Sequence, residues 1–211
     1  YTRVLDRAVA EGELGQEARV LYRIGLIHTR RGQATDAVEV QRRAIVAYEE
    51  VNDEAGAAQC RLAIAEVLAD QEELDQAVEE LGLAHQGFTL VDDGHGVARS
   101  CVQLASIMLD GEDPVVARNY LEEALDNVNT PEDEALLSWT YYYLGETDRM
   151  EEEWQAAIDH YERAVELFQR TGDDHMAANA CTYLGDAHLA LGDTERAEVF
   201  YQRGLDMMVA Q

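Results

Sequence analysis

One spacing constrains this chain more than any other feature. Ala37, Ala77, Ala117, Ala157 and Ala197 fall 40 residues apart without an insertion. Three more columns keep the same period: Gly25, Ala65, Ala105, Gly145 and Gly185; Ile24, Ile64, Leu104, Leu144 and Leu184; and Ala44, Ala84, Ala124, Ala164 and Gly204. Four columns in step over five copies mark an internal repeat, and repeats of this length stack into arrays. Within a unit the apolar residues recur at helical spacing. Tyr161, Ala164, Val165 and Phe168 follow Ala157, and Tyr120, Leu121, Ala124, Leu125 and Val128 follow Ala117. That is the stripe of an amphipathic helix buried along one side. The small columns let two helix axes approach closely where Leu would hold them apart.

The breaks punctuate the pattern. Arg31-Gly32-Gln33, Asp110-Gly111-Glu112 and Leu191-Gly192-Asp193 read as short turns between the two helices of a unit. Acidic runs at Asn52-Asp53-Glu54, Asp92-Asp93-Gly94, Glu132-Asp133-Glu134 and Gly172-Asp173-Asp174 precede helices, where carboxylates cap free N–H groups. Pro114 stands in a first turn, where its missing N–H costs nothing. The expectation is an all-α chain.

Composition excludes several functions. Among 211 residues there are 16 basic and 43 acidic side chains, a formal charge of −27, and every basic residue is Arg. Lysine chemistry is therefore absent, and the charge repels phosphates, so no direct nucleic-acid partner is expected. No apolar stretch reaches the roughly 18 residues of a membrane helix, so no membrane partner is expected. Cys60, Cys101 and Cys181 are odd in number and widely spaced, the usage of a reducing, cytoplasmic compartment, and read as core. His28, His85, His95, His160, His175 and His188 are dispersed, with no metal-ligand spacing. No nucleophile motif surrounds Ser100, Ser106 or Ser138. The chain is expected to be no enzyme, to need no cofactor and to hold no metal. Its acidity has two open readings: a field that draws a basic partner, or carboxylates that merely solvate the outer face.

The repeat resembles the tetratricopeptide repeat (TPR), in a 40-residue form like that of bacterial regulator and scaffold arrays. Tyr141-x-x-Leu144-Gly145, then Trp154-x-x-Ala157, Tyr161 and Ala164, carry the resemblance in the fourth unit. Leu184-Gly185-x-x-His188-x-x-x-Gly192-Asp193, then Ala197, Tyr201 and Gly204, carry it in the fifth. His28 and His188 stand where the family usually has Tyr, and Glu72 and Glu152 replace the turn glycine. The resemblance implies a right-handed α-solenoid of antiparallel hairpins. It places a single array over 1–211, with 1–14 the tail of a preceding repeat and five repeats at about 15–53, 54–93, 94–133, 134–173 and 174–211. The start at Tyr1, inside a helical pattern, suggests a piece of a longer protein.

The same resemblance implies a concave groove lined by first helices. Its candidates are Tyr22, Glu66, Arg99 and Gln103, then Trp139, Tyr142, Tyr143, Glu146, Asn179, Tyr183 and Asp186. The C-terminal members set aromatic area beside Glu146 and Asp186, which suits a protein or peptide partner of basic character. The family's carboxylate clamp does not carry over: of Tyr22, Leu26, Ala63, Arg99 and Gln103 at its positions, only Arg99 suits an anion. A sensory or oligomerisation module of a larger bacterial or archaeal regulator is the alternative. Apolar residues at both ends, Val4-Leu5 and Met207-Met208-Val209, suggest either further flanking repeats or self-association through uncapped helical ends.

Overall fold

The computed structural model describes residues 14–128 and 133–209. Among these residues every regular element is a helix: α1 Leu14–Arg30, α2 Ala34–Glu50, α3 Glu54–Asp70, α4 Leu74–Leu90, α5 Gly94–Asp110, α6 Pro114–Asn127, α7 Glu134–Met150, α8 Trp154–Thr171, α9 Asp174–Ala190 and α10 Thr194–Val209. Residues 1–13, where the tail of a preceding repeat and Val4-Leu5 were expected, lie outside the described residues, as does Glu132.

A helix begins every 20 residues, half the repeat seen in the sequence, and one connector recurs at every join but that from α6 to α7, where α6 ends at Asn127 and Val128 is extended. In the connector after α2, Asp53 N–H donates to Tyr48 O at 2.9 Å and Asn52 N–H to Glu49 O at 3.1 Å. That is a Schellman stop, which needs a left-handed residue after the last helical one. The left-handed residues are Gly32, Asn52, Glu72, Asp92, Glu112, Glu152, Gly172 and Gly192. The residue after each is already the cap of the next helix. Asp53, Asp93, Asp113, Asp173 and Asp193 accept the N–H three residues on, at 2.9–3.1 Å. Three residues thus end one helix and start the next.

The turn expected at Asp110-Gly111-Glu112 is present, and its left-handed residue is Glu112 at φ 58° and not the glycine. The 20-residue spacing fixes that position whatever side chain occupies it, and the neighbouring glycine lies one place too early.

The chain divides into two compact units, 1–100 and 101–211, with the division inside α5 and not at an expected repeat boundary. In the first unit α1 packs on α2, α2 on α3, and α3 on α4. In the second unit α6 packs on α7, α7 on α8, α8 on α9, and α9 on α10. Ala105 of α5 joins Ala117, Leu121 and Leu144 in one cluster of the second unit. Cys60, Cys101 and Cys181 are fully buried. Burial raises all three thiols above their ordinary range, Cys60 to about 12.

The glycine column serves packing. A Cβ on Gly145 would stand 2.6 Å from the ring of Tyr161, and one on Gly185 would stand 2.4 Å from that of Tyr201. On Gly25 it would meet the Gln41 side chain at 2.5 Å. Where the column holds Ala65 or Ala105, the residue 16 places on is Leu81 or Leu121. Small and large therefore alternate so that each pair fills the same gap.

Candidate functional site

The candidate residues fall into separate groups. In the first unit, Tyr22 is half-buried on α1, Glu66 on α3 and Arg99 on α5. Arg99 Nη2 donates to Glu66 Oε1 at 3.3 Å, joining two first-of-pair helices. Burial, and then the Cys60 thiol, raise the Tyr22 phenol above its ordinary value, while Arg99 pulls the other way. Both side chains of the ion pair are 41% exposed, so its net contribution is a fraction of 1 kcal/mol, about 0.5. Gln103 is half-buried farther along α5, in the second unit.

The second unit gathers an aromatic cluster from α7, α8 and α9. Trp139 stacks on Tyr143 at 5.7 Å and meets Tyr142 and Phe168 edge-on at 5.9 and 5.4 Å. Tyr142 lies within it, 8% exposed, with Tyr161 and Tyr183 edge-on at 6.1 and 5.9 Å. Its phenol is pushed well up by burial, then by Tyr183 and Glu146. Such a ring stabilises the unit and offers a partner little surface. Trp139, Tyr143, Asn179 and Tyr183 are half-buried, and Asp186 is exposed.

Glu146 is engaged within the chain. The Tyr161 hydroxyl donates to it in a short hydrogen bond, and Arg149 Nη2 donates to it at 2.8 Å. The hydrogen bond to Glu146 raises Arg149, whose guanidinium also lies 5.8 Å over the Tyr183 ring. Glu146 is thus the anchor of an internal network rather than an open carboxylate. Asp186 accepts the Tyr201 hydroxyl at 2.7 Å, which raises that phenol to about 12, and the residue is exposed.

Sequence reasoning missed three participants. Arg149 and Tyr161 hold Glu146. The third is Asp148, 1% exposed, held by Arg118 at 2.9 Å and by His160 Nδ1 at 2.6 Å. A buried carboxylate needs such partners to stay charged. Arg149 was legible as the residue three places after Glu146 on one helix face. No local signal points from Asp148 to Arg118, 30 residues earlier.

The cations are unevenly held. Each described arginine from Arg61 onward has a partner within the chain, such as Glu49, Glu66, Tyr141, Glu134 or Gln169. Arg23, Arg30, Arg31, Arg42 and Arg43, on α1, α2 and the connector between them, make no ion pair with the described residues.

Tetratricopeptide-repeat profiles match residues 18–55 and 136–208. The chain belongs to the tetratricopeptide-repeat family, an all-α fold of the α-solenoid class. The regulatory protein AfsR of Streptomyces griseus is 28% identical over 206 residues, a stretch covering 94% of this chain and 20% of AfsR. The chain therefore spans one fifth of that relative's length. BtubC (BKLC) of P. vanneervenii superposes with a TM-score of 0.85 at 20% identity, over 99% of this chain and 88% of that one. A Rap protein complexed with competence and sporulation factor gives 0.72 at 18% identity, over 92% of this chain and 54% of that one. These likenesses show the fold. Among the described residues no helix is long and apolar enough to cross a membrane.

Proposed function

We propose that this chain is a non-catalytic binding module that holds a peptide or protein segment against the first-of-pair helices, chiefly α7 and α9. The observation that carries the reading is the half-exposed Trp139–Tyr143 stack, with Asn179, Tyr183 and Asp186 on the adjoining helix. Stacked aromatics offer contact area at low entropic cost, and the amide and carboxylate fix a partner's polar groups. Asp186, and not Glu146, is the carboxylate that receives a cationic side chain. Tyr142 and Glu146 support the surface from below. The Rap structure complexed with a factor supports a binding role for a fold of this kind.

The test is peptide selection on the immobilised chain, followed by affinity measurement on a Trp139→Ala/Asn179→Ala/Asp186→Asn variant. Loss of an aromatic anchor and two polar contacts weakens the selected peptides by about tenfold or more. A Glu166→Gln variant, changed at an exposed position on α8, keeps wild-type affinity. Peptides that bind the triple variant as tightly as the wild type refute the reading.

A further inference from the structure

The cation held by Glu146 comes from a place where the repeat asks for none. Glu66 takes its guanidinium from the next first-of-pair helix, from Arg99, 33 residues on. The same step from Glu146 falls on Asn179, which carries no charge. The carboxylate is met instead by Arg149, three places on in its own helix. In the other hairpins that position holds Thr29, Ala69, Leu109 and Leu189.

The guanidinium of Arg149 is surrounded by groups suited to it. Nη2 donates to Glu146 Oε2 at 2.8 Å, and Nε donates to the same oxygen at 3.3 Å. The Tyr161 hydroxyl donates to the other oxygen, Oε1. The Tyr183 ring lies 5.8 Å from the guanidinium carbon and itself stacks on Tyr161 at 5.6 Å. A carboxylate that accepts two N–H groups beside the face of an aromatic ring is the arrangement by which an arginine is recognised. Its walls come from three helices, α7, α8 and α9, and Tyr161 is fully buried, so packing holds them in place.

The occupant is held less firmly than the walls. The Glu146 side chain is 15% exposed and that of Arg149 is 35% exposed. An ion pair three residues apart on one helix is among the weaker kinds. Without Arg149, the Tyr161 hydroxyl is the one donor left to Glu146 among the described residues. A largely enclosed carboxylate in that condition takes a replacement cation.

We propose that Glu146, Tyr161 and Tyr183 form a guanidinium-binding site that Arg149 keeps filled, and that Arg149 thereby sets the specificity of the α7–α9 surface. With Arg149 in place, a bound segment brings a cation to Asp186 and none to Glu146. The ligand class of the vacated site is an arginine side chain, whose planar fork matches the carboxylate and whose flat face matches Tyr183. A lysine ammonium offers neither fork nor flat face. The consequence for a partner rests on the proposed binding role of α7 and α9; the site itself does not.

The probe that tests this is methylguanidinium, titrated into the whole chain with isotope-labelled tyrosine rings followed by NMR. In the Arg149→Ala chain it shifts the Tyr161 and Tyr183 signals saturably. It binds there about tenfold more tightly than to the wild type, the worth of one hydrogen bond to a charged group. Adding Glu146→Gln to Arg149→Ala abolishes that gain, and methylammonium binds Arg149→Ala more weakly than methylguanidinium does. Unchanged helical circular dichroism shows that the variants are folded, and Arg149→Met, which keeps an apolar stem, replaces Arg149→Ala if it is not. Equal affinity of wild type and Arg149→Ala, equal affinity of the single and double variants, or a preference for methylammonium overturns the proposal. Peptides selected on Arg149→Ala carry more arginine than those selected on the wild type, and equal arginine content contradicts the specificity role. The probe reads the site whether or not the α7–α9 surface holds a peptide, so the two readings fail separately.

Discussion

The Gly25–Gln41 and Gly145–Tyr161 pairs occupy the same place in their hairpins and meet the same demand in opposite ways. Both glycines make room for a large residue 16 places on. Tyr161 fills its gap fully: it is 0% exposed, stacks on Tyr183 at 5.6 Å, and its hydroxyl donates to Glu146. Gln41 is 1% exposed and donates through Nε2 to Tyr22 O at 3.2 Å, but its Oε1 has no partner. A buried amide oxygen without a donor destabilises by about 1–3 kcal/mol. One pair thus anchors a polar network that supports the candidate binding surface, and the other leaves a defect in the core. The repeat dictates volume at this site; the chemistry that fills it is free to vary.

The largest test of the comparison is Tyr161→Ala. It empties the gap and frees Glu146, so the chain should lose about 3–5 kcal/mol in denaturant unfolding. Gly145→Ala comes next, because its Cβ would overlap the Tyr161 ring, at a cost of about 1–3 kcal/mol. Adding Tyr161→Leu rebuilds the Ala–Leu pair of the second and third units, and the double variant should be more stable than the sum of its singles. A simple sum would break the packing rule.

Gly25→Ala with Gln41→Leu makes the same exchange in the first hairpin, where it removes the orphan oxygen. The expectation there is a gain of about 1 kcal/mol, read as a higher denaturation midpoint. A loss would show that the amide is satisfied in solution. The smallest effect lies in the connectors. Glu72→Gly and Glu112→Gly relieve left-handed non-glycine residues and should each stabilise by about 0.5–1 kcal/mol. Gly111→Ala, beside the left-handed position, should cost no more than a few tenths, about 0.3 kcal/mol.

These contrasts also separate what was legible in the sequence from what was not. The helix pairs were legible, because a buried stripe and a small column repeat wherever a helix must pack. The capping aspartates Asp53, Asp93 and Asp173 were legible, because Asp before a helix has a local use, but Asp133 in the remaining acidic run caps no N–H with its side chain. The turn at Asp110-Gly111-Glu112 was legible but its left-handed residue, Glu112, was not, because glycine is a preference for left-handed backbone and the spacing is the requirement. At the site, three tyrosines in a row told little about which one turns inward. Successive helical residues point about 100° apart, and only the neighbouring helices decide that Tyr142 is enclosed while Tyr141 and Tyr143 stay half-open. Glu146 looked available because its partner Tyr161 comes from the next helix.

The central claim is that the α7–α9 surface holds the partner. Hydrogen–deuterium exchange of the chain with and without a selected peptide reads this directly. The account predicts new protection on α7 around Trp139–Tyr143 and on α9 around Asn179–Asp186, with α8 and α10 unchanged. Protection confined to α8 and α10, with α7 and α9 exchanging as in the free chain, would contradict it.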